Sequence, residues 1–456
     1  MKILVKNPII VNADSTDKAD ILMKGDKIAE IAQNIEIQES VQIIDATGLY
    51  AFPGGIDPHV HLELPTPVGN SSDDFYTGSM AALAGGTTTI IDFVTPIRGQ
   101  SIIEAIKQRK KEAEKSLIDY SLHCGITSFN ENTAEEINQC IHTEGITSFK
   151  AYLAYLDTIG INYDELKKIM QVIAGNDAIL AIHCEDGEEI YHLQQKFLSE
   201  QKTSPAYHSL SRPENAESDA VAKVIKIAEE TACKTYIVHV SCKKAIEIIA
   251  RCKSHLHLYA ETCPHYLLLD ETGYHKNFPD VLKYILSPPL RNKKSQDALW
   301  EHIADGTIDV ISTDHCPFNT FGQKDAGAEN FTKIPNGAGS IEYRLPLLFT
   351  YGVLKNKISL NRFVELTSAN AAKIFGLYPK KGVIAEGSDA DIVLWNPDAE
   401  NIISVKTQFQ NCDSNIYEGF PVKGVPEYVI RGSHVAFAHG KHNVENLKGN
   451  FLKGIR

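Results

Sequence analysis

The sequence predicts an α/β fold in which a (β/α)8 TIM-like barrel carries a small β-sandwich domain built from both chain ends. Two observations predict it. The middle of the chain alternates short apolar runs with helical stretches, which is typical of βα units around a parallel sheet. The first fifty residues and the last part of the chain contain β-like runs separated by turn residues.

The sandwich is assigned to residues 1–52 together with 378–456, and the barrel to residues 53–377. Near the amino end, Gly25-Asp26 forms a turn pair between two β-like runs. The pattern returns near the carboxyl end around Asn396-Pro397 and Arg431-Gly432. The runs are Ile21–Lys24, Lys27–Ile31, Ala390–Trp395, Tyr428–Ile430 and Val435–Phe437.

The inserted segment supplies eight predicted strands, the number that closes such a barrel. A doubly wound open sheet is the alternative. However, no GxGxxG motif follows the first strand, and Gly85-Gly86 precedes the run Thr87–Phe93 instead of following it. The strands end near His59, Phe93, Cys124, Lys150, His183, His239, Thr262 and Thr313. The helical stretches between them include Ser101–Ser116, Tyr163–Ala174, Glu214–Glu230 and Lys243–Arg251.

Composition excludes several classes of protein. The 456 residues contain 45 Lys and Arg against 58 Asp and Glu, a net charge of −13, and no clustered basic stripe, so nucleic-acid binding is not expected. Lys2 and Lys6 interrupt the apolar residues of the amino end. We find no segment that resembles a signal peptide and no apolar run that could span a membrane.

Nine scattered cysteines without a CxxC pair indicate reduced thiols in a cytoplasmic protein. Cys184, Cys242 and Cys316 lie close in sequence to candidate site residues. We expect these three to be small core residues.

Chemically active side chains stand at the predicted strand ends, where a barrel of this kind places its site. They are His59, His61, Lys150, His183, His239 and, just past the eighth strand, Asp314. Side chains two apart on a strand share a face, so His59 and His61 converge while Val60 points away. Four imidazoles and a carboxylate are more than one zinc ion needs.

Each of these residues also has an ordinary structural explanation. A histidine after an apolar run is often a core residue, Asp314 could cap a following helix, and Lys150 could bury its stem and expose its ammonium. Their coincidence at successive strand ends favours a metal site. The other thirteen histidines show no such placement, and His315 is expected to face elsewhere because it directly follows Asp314.

The segments around these residues resemble known motifs. Pro53–His61 is similar to the opening of the amidohydrolase superfamily, and Ser148–Tyr152 resembles the strand of its bridging lysine. Val60 departs from the pattern, since a threonine often stands between the two histidines. The similarity runs from about residue 1 to 440. Resemblance to the dihydropyrimidinases and hydantoinases, cyclic amidohydrolases of that superfamily, is carried by Glu261–Leu267, Ser287–Arg291, Ser312–Phe318, Lys324 and Phe331–Gly337.

The resemblance implies two divalent metal ions per subunit, usually zinc. By the family pattern, His59, His61 and Asp314 hold the first ion, and His183 and His239 hold the second. Lys150, carboxylated by CO₂, bridges the two ions together with a hydroxide. The carbamate suits this role because it is an anionic bridge with two oxygens, whereas an ammonium cannot bind a cation.

The implied reaction is the hydrolytic opening of a cyclic amide, 5,6-dihydrouracil or a 5-substituted hydantoin, to an N-carbamoyl amino acid. Asp314 takes the proton of the hydroxide as it attacks and delivers it to the departing ring nitrogen. Tyr155 stands where the family has a tyrosine that donates to the oxyanion; its ordinary role would be packing at the barrel mouth. Ser287 and Asn336 mark the backbone groups that hold the planar ureide.

Dihydroorotases and allantoinases share this metal centre and are the alternatives. Dihydroorotases commonly carry an arginine two residues after the second histidine, where it binds a substrate carboxylate. Glu63 stands there in this chain and would repel a carboxylate, which favours a neutral ring. The loop Leu62–Asp74 is less apolar beyond Leu64 than a pocket for a bulky aromatic substituent would suggest.

A different class of protein has the same fold. Non-catalytic relatives of the dihydropyrimidinases act as structural and cytoskeletal partners, but they have lost metal ligands, and this chain retains every position. We therefore expect an enzyme with a small-molecule cyclic ureide as substrate. The resemblance further implies a homotetramer, to which the segment after Gly440 would contribute contacts.

Overall fold

The computed structural model describes residues 2–37 and 40–454. Eight parallel strands lie side by side in the order of the chain. A bridge between Val60 and His315, with a 2.8 Å hydrogen bond from the His61 amide to the His315 carbonyl, joins the first strand to the segment after the eighth and closes the barrel. The strands are Gly55–Val60, Thr87–Val94, Asp119–Gly125, Ser148–Tyr152, Ile179–His183, Lys234–Ile237, Leu258–Thr262 and Val310–Ile311. Each ends within two residues of its predicted position, and the predicted barrel is confirmed.

Helices connect the strands, and the helix that follows the fourth strand shows why the sequence forms them. Asn162 accepts a hydrogen bond from the Glu165 amide, and Glu165 accepts one from the Asn162 amide, so the first turn is capped in both directions. The buried side chains recur at helical spacing, at Leu166, Ile169, Met170 and Ile173. The α-helices are Phe75–Ala84, Ile102–Glu112, Thr133–Gln139, Tyr163–Gly175, Gly187–Ser199, Tyr207–Leu210, Glu214–Thr231, Lys243–Cys252, Pro264–Leu268, Lys293–Ala304, Arg344–Leu348, Leu360–Val364 and Asn370–Ile374.

Two further sheets form the predicted sandwich. One contains Lys2–Lys6, Asp20–Lys24, Lys27–Ala32 and Gln42–Asp45. The other combines both chain ends and contains Ile9–Val11, Thr16–Lys18, Tyr50–Pro53, Asp391–Ile402, Pro421–Arg431, His434–Ala438 and Lys441–His442. Their apolar faces share one core, to which Ile3 and Met23 contribute from the first sheet and Ile392 and Ile430 from the second.

The predicted division into residues 1–52 with 378–456 and residues 53–377 stays a prediction. Residues 1, 38–39 and 455–456, which it assigns to the sandwich, lie outside the described residues. The strand Tyr50–Pro53 of the sandwich runs directly into the first barrel strand, which starts at Gly55.

The last described residues pack against the barrel. The amide of Gly449 donates to the Ser116 carbonyl and that of Leu452 to the Tyr120 carbonyl, both at 2.7 Å. Nearby, Asp119 at the start of the third barrel strand pairs with Arg431 and with Lys381, whose ammonium lies 2.6 Å from the carboxylate. These buried ion pairs join the barrel to the sandwich at the end opposite the strands' carboxyl ends.

All nine cysteines are unpaired thiols. Among the residues that the structure describes, no helix has the length and apolar character needed to cross a bilayer.

Candidate metal centre

A cavity of about 720 Å³ opens at the carboxyl ends of the barrel strands. This is the end at which barrels of this type place their sites, and the volume is within the range of small-molecule pockets. The structure brings all the predicted site residues together in its lining: His59, His61, Lys150, Tyr155, His183, His239, Ser287, Asp314 and Asn336.

His59, His61 and Asp314 converge on one point. Nε2 of each imidazole lies 3.1 Å from Oδ1 of Asp314. The three residues offer ligand atoms within 4.8 Å of one another, and within residues 2–37 and 40–454 they form the one group of three or more such side chains that could hold a metal ion. Val60 between the histidines is fully buried and does not line the cavity.

His183 and His239 form a second pair of imidazoles beside the first. Their ring centroids are 4.6 Å apart, and that of His239 is 5.4 Å from that of His59. Nε2 of His183 lies 2.8 Å from a carboxylate oxygen of Glu185, which leaves Nδ1 of His183 for another partner. Nδ1 of His239 is buried and has no hydrogen-bond partner among the described residues.

Lys150 lies in the fourth barrel strand and is almost completely buried, with 1% of its surface exposed. Its amine nitrogen is 4.9 Å from the ring centroid of Phe93 and 5.2 Å from that of Tyr152. Burial lowers the pKa of Lys150 to about 8, although Glu261 and Asp314 favour its charged form. The neutral amine, which is the form that can react with CO₂, is thus accessible at mildly alkaline pH.

The site concentrates opposite charges. Burial opposes a charge on His59, but Glu261 and Asp314 outweigh it and raise the pKa of His59 to about 9. His59 and His61 hold the pKa of Asp314 well below its usual range, although burial would raise it. Buried carboxylates that hold a proton on a histidine are groups that a bound cation would satisfy.

Tyr155 follows the fourth strand, and its ring centroid is 5.5 Å from that of His183. Its backbone carbonyl accepts hydrogen bonds from the amides of residues 158–160, which fold the following loop around it. Burial raises the pKa of the phenol, while Arg212, Ser287 and Asn336 act in the opposite direction. The hydroxyl therefore stays protonated and able to donate at neutral pH.

Three site residues hold the backbone in the left-handed region that favours glycine. The φ angles of Tyr155, His239 and Asp314 are +63°, +39° and +49°. Such strain persists where the surroundings enforce it, and it clusters at functional sites.

Residues to which the sequence analysis gave no role support the imidazoles from behind. Glu261 accepts a hydrogen bond from Nδ1 of His59 at 2.7 Å and another from the Tyr236 hydroxyl at 2.8 Å. Glu185 holds His183 in the same way and is itself paired with Arg212. Burial would raise the pKa of Glu185, but Arg212 and His183 lower it to about 2. An acidic residue one or two positions beyond a strand that ends in a predicted ligand is the signal that could have identified Glu185.

His315 faces away from the cavity, as predicted. Its Nε2 lies 3.1 Å from Asp73, and its Nδ1 accepts a hydrogen bond from the Ser340 amide. Of the cysteines expected in the core, Cys184 and Cys242 are buried outside the cavity, but Cys316 is both buried and part of the cavity lining. The expectation for Cys316 was incomplete because it follows Asp314 by two residues and faces the same side.

Two sequence-based arguments about the substrate-binding residues were wrong. Glu63 does not line the cavity: its carboxylate pairs with Lys115 at 2.9 Å, which offsets its negative charge. No arginine is found in the cavity lining that the described residues form, and its only cationic residues besides the histidines are Lys150 and Lys333. The case against dihydroorotate therefore rests on this lack of a lining arginine.

The second correction concerns the polarity of the loop after His61. Its short hairpin of Pro65–Thr66 and Gly69–Asn70 places residues 64–68 in the cavity lining. Their apolar side chains share the lining with Ile159, Phe318 and Ile334. The loop appeared too polar because most of its polar residues follow at positions 70–74 and lie outside the cavity lining.

Comparisons with known proteins agree with this geometry. Residues 50–435 match the amidohydrolase family. The D-hydantoinase of Geobacillus stearothermophilus is 41% identical over 435 residues, which cover 95% of this chain and 92% of that protein. The crystal structure of dihydropyrimidinase from Brevibacillus agri NCHU1002 superposes with a TM-score of 0.97 at 39% identity and full coverage of both chains. The D-hydantoinase (dihydropyrimidinase) from Thermus sp. gives 0.97 at 42% identity and 99% coverage of each.

The predicted resemblance is thereby confirmed. The chain belongs to the amidohydrolase family, in the group that contains the D-hydantoinases and dihydropyrimidinases.

Proposed function

We propose that this protein is a metal-dependent enzyme that opens cyclic ureides, with 5-substituted hydantoins and 5,6-dihydrouracil as its substrate class and an N-carbamoyl amino acid as its product. The observation that carries the proposal is the cavity itself. It is lined by six candidate metal ligands and by apolar side chains of the surrounding loops. Relatives named for this activity share about 40% of the sequence over nearly its full length.

The donor set fits a pair of divalent ions. Imidazole nitrogens and carboxylate oxygens suit zinc, and the described residues leave a buried imidazole nitrogen of His239 without a partner. His59, His61 and Asp314 would hold one ion, and His183 and His239 the other. Bound metal ions of this kind lower the pKa of water and polarise a carbonyl.

Lys150 would join the two sets of ligands as a carbamate. The amine adds to CO₂, loses a proton and becomes a carboxylate with two oxygens. Burial supports this assignment because it favours the neutral amine that the addition requires. The negative charges of Glu261 and Asp314 act on Lys150 and oppose a further anion there, so the carbamate would depend on the positive charge of the metal ions.

Asp314 is proposed as the group that moves the proton. Its carboxylate lies 3.1 Å from Nε2 of His59 and of His61, beside the proposed first ion, where it would accept a proton from the attacking water and return it to the departing ring nitrogen. Tyr155 is proposed to donate its hydroxyl hydrogen to the carbonyl oxygen as that oxygen gains charge. Ser287 and Asn336 line the cavity beside Tyr155 and would hold the two edges of the ureide.

The apolar mouth favours substrates with an apolar substituent on the ring. Leu64, Val68, Ile159, Phe318 and Ile334 supply this surface, which would be buried against an aryl or alkyl group. Relatives that are 38% identical over 99% of this chain bear the name D-phenylhydantoinase.

A steady-state comparison on metal-loaded protein tests the proposal. We expect turnover of hydantoin, 5-phenylhydantoin and dihydrouracil with release of the N-carbamoyl product, and slow or no turnover of allantoin and dihydroorotate. Preference for allantoin or dihydroorotate would overturn the assignment. Protein that binds about two zinc ions per chain yet turns over none of these compounds would also contradict it.

We further propose a cytoplasmic homotetramer. The support for a reducing compartment is that all nine cysteines are free thiols. Exposed apolar side chains such as Ile97 and Phe321 are candidates for subunit contacts. Light scattering of the purified protein measures the oligomeric state directly.

A further inference from the structure

Arg212 is a buried cation directly behind the cavity. It lies between the short helix Tyr207–Leu210 and the long helix Glu214–Thr231, and only 3% of its surface is exposed. It does not line the cavity, so it cannot touch a bound substrate. Its guanidinium instead contacts Tyr155, which lines the cavity, and Glu185, which holds the lining residue His183.

The first contact leads to a candidate metal ligand. Nη1 of Arg212 donates to Oε2 of Glu185 at 2.5 Å, and the same oxygen lies 2.8 Å from Nε2 of His183. Arg212 therefore fixes the carboxylate that in turn fixes the imidazole. Because Nε2 of His183 is engaged by Glu185, its proton is held there, and Nδ1 is left with a free lone pair.

The second contact leads to the candidate oxyanion donor. The guanidinium carbon of Arg212 is 5.2 Å from the ring centroid of Tyr155, within the range of a cation–π interaction. A positive charge beside a phenol makes its hydroxyl a stronger hydrogen-bond donor, since the charge stabilises electron density that moves onto the phenol oxygen. Arg212 thus acts on Tyr155 by position and by charge.

The backbone of Arg212 is itself held in place. Its carbonyl accepts a 2.6 Å hydrogen bond from Nη1 of Arg291. Arg291 also pairs with Glu217 at 3.1 Å and donates to the Ser241 hydroxyl at 3.0 Å. Every member of this cluster is buried. These contacts fix the position of Arg212, and Arg212 is the member of the cluster that contacts the cavity residue Tyr155.

Fold stability alone does not account for this arrangement. A buried guanidinium loses much of its hydration, and apolar side chains of similar size are often at least as stabilising. Nε of Arg212 also lacks a partner among the described residues, which adds to the cost. In this arrangement one positive charge lies next to both the Tyr155 ring and the carboxylate of Glu185, which holds His183.

We propose that Arg212 is a positioning residue that holds the Tyr155 phenol and the His183 imidazole in one rigid unit. This inference rests on the proposed function, because it assigns Tyr155 and His183 their parts in ring opening. Arg212 acts through these two residues and not on the substrate.

A double-mutant cycle tests the link to Tyr155. In metal-loaded protein, Arg212→Met should lower kcat by about 10- to 100-fold and leave KM within about threefold, because the interaction serves the transition state. Arg212→Lys, which keeps the charge but not the planar fork, should be intermediate. In a Tyr155→Phe background, the same Arg212→Met change should cost at least about fivefold less, since the hydroxyl through which Arg212 would act is gone. Equal losses in the two backgrounds would overturn the link.

Metal retention tests the link to His183. After dialysis against a chelator, Arg212→Met should release its metal at a roughly 10-fold lower chelator concentration than the wild type. Arg431→Met is the matched control, because Arg431 is also a buried arginine and is paired with Asp119 at the other end of the barrel. It should lower the melting temperature without changing metal retention or KM. Equal metal retention in the wild type and Arg212→Met would overturn this link.

The outcomes separate the two proposals. If the wild type turns over no cyclic ureide, the proposed function fails. If the wild type is active and Arg212→Met matches it in kcat and metal retention, only the role of Arg212 fails.

Discussion

The carboxylate of Glu261 accepts a 2.7 Å hydrogen bond from Nδ1 of His59, while Nε2 of the same ring lies 3.1 Å from Asp314. Glu261 is the last residue but one of the seventh barrel strand, and His59 is the last but one of the first. The contact therefore links two different strands inside the barrel. It holds the proton on Nδ1 and directs the lone pair of Nε2 toward the proposed metal position.

Replacing Glu261 by Gln should weaken metal binding by about 10- to 100-fold, because the neutral amide holds the imidazole less firmly and removes a negative charge near the ions. Metal content measured after dialysis against increasing chelator checks this. Glu342→Gln is the control: Glu342 is also buried, but it accepts hydrogen bonds from the amides of Phe409 and Gln410 instead of holding a candidate ligand. Unchanged metal retention in Glu261→Gln would show that the contact has no role in binding.

Replacing Tyr155 by Phe removes one hydroxyl and leaves the ring in place. We expect kcat to fall by about 10²- to 10³-fold, the usual cost of losing an oxyanion donor, with metal content unchanged. Tyr163→Phe is the control, since the Tyr163 hydroxyl faces Asp186 and not the cavity. An undiminished kcat in Tyr155→Phe would exclude the proposed role.

The barrel and the clustering of the candidate metal ligands were predictable because both depend on local patterns. An apolar run of about five residues fixes a buried strand, and the residue at its carboxyl end then faces the site in every barrel of this type. His183 and Lys150 illustrate this, since each stands within the last three residues of its strand.

The supporting residues and the loop were not predictable in the same way. Arg212 belongs to no strand, and its contact with Glu185 spans 27 positions of the chain. Glu63 was placed near the substrate because dihydroorotases commonly carry an arginine at that position, but the strand has ended there and the backbone turns through a φ of +51°. Strand alternation no longer decides direction once the strand ends.

The apolar mouth of the cavity predicts that Leu64→Ser discriminates between substrates. We expect kcat/KM for 5-phenylhydantoin to fall about 10-fold, because contact with a leucine side chain contributes about 1.5 kcal/mol or more. Unsubstituted hydantoin lacks the group that touches Leu64, so its kcat/KM should stay within about twofold. Leu210→Ser, at a leucine with 57% of its surface exposed, is the control and should change neither value. Equal losses of kcat/KM for the two substrates would show that the ring substituent does not contact Leu64.

The carbamate proposal predicts a chemical rescue of Lys150→Ala. The variant should lose most of its activity and retain less metal, because the anionic bridge is missing. Formate or acetate added at high concentration should restore part of both, since a free carboxylate can occupy the space of the deleted side chain and supply two oxygens. Lys333→Ala, at an exposed lysine of the same cavity lining, should bind metal normally and gain nothing from the added acids. A Lys150→Ala variant with full metal content would contradict the bridging role.

Lys324 predicts a pH dependence of stability that is independent of the metal ligands. The side chain is 1% exposed, its ammonium donates to the Ile285 carbonyl at 2.8 Å, and burial lowers its pKa to about 7. The unfolded chain has the usual lysine pKa near 10.5 and so binds more protons than the folded chain between about pH 7 and 10.5. Stability from this group therefore rises with pH across that window, and its burial penalty is greatest below pH 7.

Lys324→Met removes the charge and keeps most of the volume. Relative to the wild type, its melting temperature should be highest at pH 6 and should fall steadily toward pH 10, where the wild-type amine is neutral and still hydrogen-bonded to Ile285. Thermal unfolding of both proteins in the same chelator-containing buffers measures this difference. Lys226→Met, at an exposed helical lysine, should show a difference that does not vary over the same range. A flat difference for Lys324→Met would mean that Lys324 keeps its proton up to the pH at which the unfolded chain releases it.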